Sequence, residues 1–168
     1  QVRADVLEFF RGRYVNLMAG RYPSDVVEAV AAVSFDNLND TASRMAALAE
    51  FRQRLDFDPL SVAFKRVCNI VKEGTDIPVD AGLFQEEAER ELARAFDAVA
   101  SVARVKTGEK DYLAALREIA GLKGPVDAFF DGVMVMAEDQ RVRSNRLALL
   151  TGIARLFSAI ADFSRISA

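Results

Sequence analysis

Apolar residues return at three- and four-residue spacing through nearly the whole sequence, and no stretch keeps the strict alternation of a half-buried strand. The pattern predicts an all-α fold, an irregular bundle of seven to eight helices. A first helix is expected over about 2–18, ended by Gly20 and Pro23, and a second over about 25–33 with Ser24 or Asp25 as its cap. A third should occupy about 38–55. The Asp58-Pro59 pair then opens a fourth, with the aspartate as N-cap and the proline at the first helical position, and Gly74 closes it. Residues 74–79 read as a connection. A long helix over 84–105 should stop before Gly108, and a shorter one follows at about 110–121. Pro125 is expected to start a short helix through Val126, Phe129 and Phe130, and Asp139 to cap a last one running past Ile160. With no internal repeat and no second unit visible, residues 1–168 read as a single helical domain.

Composition narrows the classes of function. The apolar fraction is 51% and the charged fraction 28%, a globular profile without low-complexity tracts. Helical pattern begins almost at Gln1, which suggests a fragment of a longer polypeptide. No apolar run approaches the ~20 residues needed to cross a bilayer, and no signal-peptide pattern is present, so a soluble cytoplasmic protein without membrane contact is expected. The single cysteine, Cys68, cannot form an internal disulfide; beside Val67 and near Ile70 and Val71 it reads as a small residue at the core edge. Histidine is absent, which removes the commonest general base and metal ligand together with every Ser/His or Cys/His nucleophile pair. No acidic pair stands out from helix-surface charge, so no catalytic residue and no metal site is expected. The net charge of −3 argues against broad, non-specific affinity for nucleic acid, and leaves the decision to local charge distribution.

On the fourth helix, Leu60, Ala63, Phe64, Val67, Ile70 and Val71 share one arc at 100° per residue, which faces the core. Lys65, Arg66, Asn69 and Lys72 lie on the opposite arc. Such a strip is either a solvated helix face or a phosphate-contacting surface. The last helix differs: Val142, Leu149, Leu150, Ile153, Leu156 and Ile160 span a wide apolar arc that includes Arg146, with Arg143 towards its edge. An arginine there must be ion-paired, with Asp131 or Asp139 as candidate partners, or must line a groove. Arg13 poses the same question among Val6, Phe10 and Leu17. Met134, Met136, Phe129 and Phe130 read as core residues.

The segment from Pro125 to Leu150, PVDAFFDGVMVMAEDQRVRSNRLALL, resembles the C-terminal signature of bacterial glycyl-tRNA synthetase β-subunits. Further matching blocks are Lys65-Arg66-Val67 with Asn69-Ile70, Asp25-Val26-Val27 with Ala29-Val30, and the ending Ala161-Asp162-Phe163-Ser164. The Arg143 to Leu147 pattern is also similar to the DALR-type anticodon-binding domain of arginyl-tRNA synthetases. The resemblance implies a helical tRNA-binding domain at the C-terminal end of a long β-subunit, serving glycyl-tRNA aminoacylation in protein biosynthesis without catalysing it. Catalysis, ATP and Mg²⁺ would then lie on a separate α-subunit of an α2β2 ligase, with glycine tRNA, the α-subunit and the remaining β-subunit domains as partners and no cofactor on this chain. It implies phosphate positioning by Lys65, Arg66 and Lys72, a polar contact by Asn69, and groove-lining or bracing by Arg143, Asn145 and Arg146. The competing expectation is a helical protein-interaction module for subunit or domain docking. A basic groove from the Lys65 strip to Arg143 would favour RNA; an exposed apolar patch would favour a protein.

Overall fold

A computed structural model describes residues 2–71 and 74–167. Among them are eight α-helices: α1 (Val2–Ala19), α2 (Ser24–Val33), α3 (Leu38–Phe51), α4 (Phe57–Ile70), α5 (Glu87–Gly108), α6 (Tyr112–Ala120), α7 (Lys123–Gly132) and α8 (Gln140–Ser158). Two 3-10 turns, Ala81–Leu83 and Phe163–Arg165, complete the regular structure, and no strand occurs among the described residues. The all-α bundle expected from periodicity is what forms.

The ends differ in instructive ways. α4 starts at Phe57, so Pro59 is its third residue, and α7 starts at Lys123, so Pro125 is again the third. Proline is tolerated there because the first four N–H groups of a helix have no intrahelical acceptor. α2 likewise starts at Ser24 itself, with Pro23 rather than Ser24 or Asp25 in the cap position. α3 ends at Phe51, not 55, because Arg52 to Arg54 fold into a turn that leaves Leu55 fully exposed. α8 begins as expected: the Asp139 carboxylate accepts from the backbone N–H of Arg141 and Val142. It ends at Ser158, before Ile160, and the chain then returns across α2, where the Asp162 N–H donates to the Ala29 carbonyl at 2.9 Å.

One core joins these elements. Leu60, Ala63, Phe64 and Val67 of α4 are buried, on the arc the periodicity assigned to them. Phe64 stacks on Phe157 of α8 with ring centroids 4.2 Å apart and meets Phe163 edge-on at 5.7 Å, which fixes α4, α8 and the last turn as a unit. α5 crosses α8 closely at Gly152, where an added Cβ would stand 2.9 Å from the Phe96 ring. Arg44, buried on α3, ties the other end together: it donates to Asp40, to the carbonyls of Val30, Ser34 and Ile160, and to the Thr41 hydroxyl.

Candidate nucleic-acid interface

Side-chain chemistry around α8 falls into two regions that differ in burial. In the first, Arg146 is 4% exposed and Glu89 of α5 is 0% exposed. Arg146 Nε and Nη2 donate to the two Glu89 oxygens at 2.9 and 3.2 Å, Nη1 donates to the Met134 carbonyl at 2.9 Å, and Nη2 also reaches Gln85 Oε1 at 3.3 Å. Glu89 Oε2 in turn accepts from the backbone N–H of Gln85 and Glu86 at 2.8 Å each, and so caps the start of α5. Burial alone would raise the Glu89 carboxyl, but the Arg146 guanidinium and the two N–H groups hold it below its ordinary value. Asn145 is equally committed: its amide accepts from Asp80 N at 2.7 Å and donates to Asp80 O at 2.9 Å, which pins the connection ahead of α5 onto α8.

Of the two roles expected for Asn145 and Arg146, bracing is the one the geometry fits, since every polar atom of both side chains is engaged inside the protein. The ion pair expected for Arg146 exists, but its partner is Glu89 and neither Asp131 nor Asp139. Asp131 is exposed, and Asp139 is occupied in capping α8. Arg13 also departs from expectation. α1 packs against α2 through Met18, Tyr14 and Val15, so Phe10 and Leu17 point outward and Arg13 is exposed, its guanidinium 5.6 Å from the Phe9 ring centroid. The side chain of Val6 lies outside the described residues. Phe129 is core as read, but Met134 and Met136 are exposed. Burial first and the Asp162 charge second push the Cys68 thiol up to about 11, so it stays protonated and unreactive at neutral pH.

The second region lies between the C-terminal half of α4 and the first half of α8. A cleft of about 340 Å³ is lined by Asn69, Ile70 and Val71, by Gly74 and Thr75 of the following connection, and by Ser144, Leu147 and Thr151 of α8. Gly74 adopts a left-handed backbone at φ 63°, a conformation that suits glycine. Lys65 and Arg66 precede the lining residue Asn69 by one turn on α4, and Arg143 precedes the lining residue Leu147 by one turn on α8, so the three cations lie one turn from the cleft without lining it. Among the described residues none of the three joins an ion pair, and no carboxylate lines the cleft. Elsewhere exposed cations are mostly neutralised, as in Arg54 with Asp56, Arg94 with Glu87 and Lys106 with Glu109. Arg66 is exposed, and its guanidinium carbon lies 4.2 Å from the centre of the Phe130 ring of α7. Lys72 lies outside the described residues.

Sequence reading missed Ser144, Thr75 and Thr151 as cleft residues and Glu89 as the partner of Arg146. A Glu86-x-x-Glu89 spacing at the start of α5 was the available signal for Glu89, weakened because a glutamate and not a serine or threonine stands at the cap. Among the described residues no helix is long and apolar enough to cross a membrane, and no group of three His, Cys, Asp or Glu side chains converges to hold a metal ion.

A helical bundle with an unpaired basic face beside a polar cleft has the elements of an RNA-reading module, and residues 60–167 match the DALR anticodon binding domain family; the chain belongs to that family. Over 167 residues it is 64% identical to the glycine–tRNA ligase beta subunit of Geobacter sp. strain M21, and 62% identical to that of Trichlorobacter lovleyi. It is 48% identical over 169 residues to the same subunit of Syntrophotalea carbinolica. These matches cover 99–100% of this chain but only 24–25% of the relatives, so the chain spans about a quarter of the length of the curated relatives it matches.

Proposed function

We propose that this chain is the anticodon-binding domain of a glycyl-tRNA synthetase β-subunit and that it holds the anticodon loop of glycine tRNA against the α4–α8 face. The observation that carries the reading is the set of cations, Lys65, Arg66 and Arg143, that join no ion pair among the described residues, beside a cleft whose described lining holds no carboxylate. Cations left without protein counter-charges on one face supply the phosphate-positioning term of RNA binding even where the net charge is −3. The cleft supplies the specific term. Glycine anticodons carry cytidines at their second and third positions, and cytosine presents an N4 donor beside an N3 acceptor. The amide of Asn69, exposed on the cleft, offers the matching pair: its oxygen accepts from N4 and its nitrogen donates to N3. Binding and orientation of tRNA are all this chain contributes in the proposal. Glycine activation, with ATP and Mg²⁺, falls to the α-subunit of an α2β2 ligase, and the setting is cytoplasmic.

The test is an anisotropy titration of the chain with glycine tRNA and with a variant in which both anticodon cytidines are replaced. Native tRNA is expected to bind more tightly; Lys65→Ala should weaken both complexes alike, whereas Asn69→Ala should abolish the preference. Equal binding of the two tRNAs by the unmodified chain would remove anticodon readout from this face.

A further inference from the structure

We infer that the outer face of α1 is the seat of an amphipathic helix from another part of the same β-subunit polypeptide. Phe10, Arg13, Tyr14 and Leu17 follow one another at helical spacing along α1, and together with Asn16, Phe35, Asp36 and Leu38 they line an open groove of about 900 Å³ between α1 and the α2–α3 connection. Phe10, Leu17 and Leu38 are 58, 63 and 50% exposed, which places three large apolar side chains together along one groove. Contiguous exposed apolar surface of this kind marks a covered interface and not a solvated one.

Three observations choose the occupant. The groove is concave, so its complement is a ridge; a second copy would bring the same concave surface and could not fill it. Its rim carries one cation, Arg13, and one carboxylate, Asp36, neither in an ion pair among the described residues. An RNA backbone would be repelled by Asp36 and would leave the phenyl and leucyl groups uncovered, whereas a helix with apolar residues at i, i+3 or i+4, and i+7 and a carboxylate opposite Arg13 satisfies both. The relatives are about four times as long as this chain, and the family match begins only at residue 60, so α1 lies outside the part shared with anticodon-binding domains in general. The inference rests on membership of a longer subunit, not on tRNA contact.

A photo-cross-linking amino acid placed at Leu17 in the whole β-subunit, assembled with its α-subunit, tests it, with the fully exposed Leu55 as background position. The expected product is a cross-link to a peptide of the same polypeptide outside the present 168 residues, lost in the Arg13→Glu variant. A cross-link to a second copy, to the α-subunit or to tRNA, or a yield no higher than at Leu55, overturns the inference. Leu17→Ser in the chain alone should leave its tRNA affinity unchanged, which separates this outcome from that of the anticodon reading.

Discussion

Arg143 and Arg146 stand three residues apart on α8 and meet opposite surroundings. Every nitrogen of the Arg146 side chain is engaged, by Glu89, Gln85 and the Met134 carbonyl, in a site closed to water. Arg143 is half-buried one turn before the cleft residue Leu147 and joins no ion pair among the described residues. One turn of helix separates a guanidinium that braces α5 against α8 from one that is available to a phosphate. A net charge of −3 conceals the difference, because it does not say which cations have a carboxylate beside them: Arg146 has Glu89, whereas no carboxylate is among the described residues that line the α4–α8 cleft. Local pairing, not the sum of charges, separates the bracing cation from the one open to a ligand.

The largest effect that could break the contrast is on stability. Arg146→Ala leaves Glu89 buried without its cation and should destabilise the fold by about 3–5 kcal/mol, read as a lower urea midpoint. Arg143→Ala should stay within about 0.5 kcal/mol. Comparable losses in the two variants would mean that Arg143 also braces the bundle. Next in size is the α5–α8 crossing that the Arg146 pair supports. Gly152→Ala forces a Cβ to within 2.9 Å of the Phe96 ring and should cost about 1–3 kcal/mol. Gly12→Ala on α1, where nothing stands within 4 Å of the new Cβ, should stabilise by about 0.5–1 kcal/mol. Thermal unfolding of the two variants should therefore shift in opposite directions.

On the open face the effect moves from stability to binding. Lys65→Ala and Arg66→Ala should each reduce the slope of log affinity for tRNA against log salt by about 1, with the urea midpoint unchanged. Arg146→Met in the Glu89→Leu background should leave that slope alone. An undiminished slope in the Lys65 and Arg66 variants would place the phosphate contacts elsewhere.

Much of this contrast was legible in the sequence, and the parts that were not share a cause. Periodicity located the buried arc of α4 and therefore its basic face, because both follow from 100° per residue within a single helix. The same argument flagged Arg146 as a charge on an apolar arc. Its partner escaped because Glu89 is 57 residues away and was placed inside a helix starting at 84; α5 begins at Glu87, which puts Glu89 in the first turn with its carboxylate over the helix end. Arg44 could have been found by the rule that found Arg146, since it lies with Thr41, Met45 and Leu48 on the buried arc of α3. Its backbone acceptors are the carbonyls of Val30 and Ser34 at the end of α2 and of Ile160 after α8, which no residue pattern announces. The prolines mark a first turn and not a first residue, for the reason that all four leading N–H groups lack acceptors. Leu55 misled because an apolar residue in register is read as helical even when the chain has already turned.

The smallest effect tests the electrostatic basis of the contrast directly. Burial works to raise the Glu89 carboxyl, yet the hydrogen bonds from Arg146 and from the N–H groups of Glu86 and Gln85 win and hold it below the roughly 4.3 expected of an unfolded glutamate. A carboxyl whose folded value is depressed contributes stability that is fully present above the unfolded value and disappears as pH falls through the folded one. Between neutrality and about pH 5 the Glu89 contribution should therefore be flat, and below about 4.3 it should fall. Asp25, Asp40 and Asp162 are also held low by their hydrogen-bond and charge partners and will add to the acid loss of any variant. The informative quantity is thus the difference between the urea midpoints of the unmodified chain and Glu89→Gln. That difference should be largest at neutral pH and should narrow on acidification, because glutamine cannot lose a charge it does not carry. Parallel curves down to the lowest accessible pH would mean that the Glu89 charge does not hold the α5–α8 junction, and that shape alone distinguishes Arg146 from Arg143.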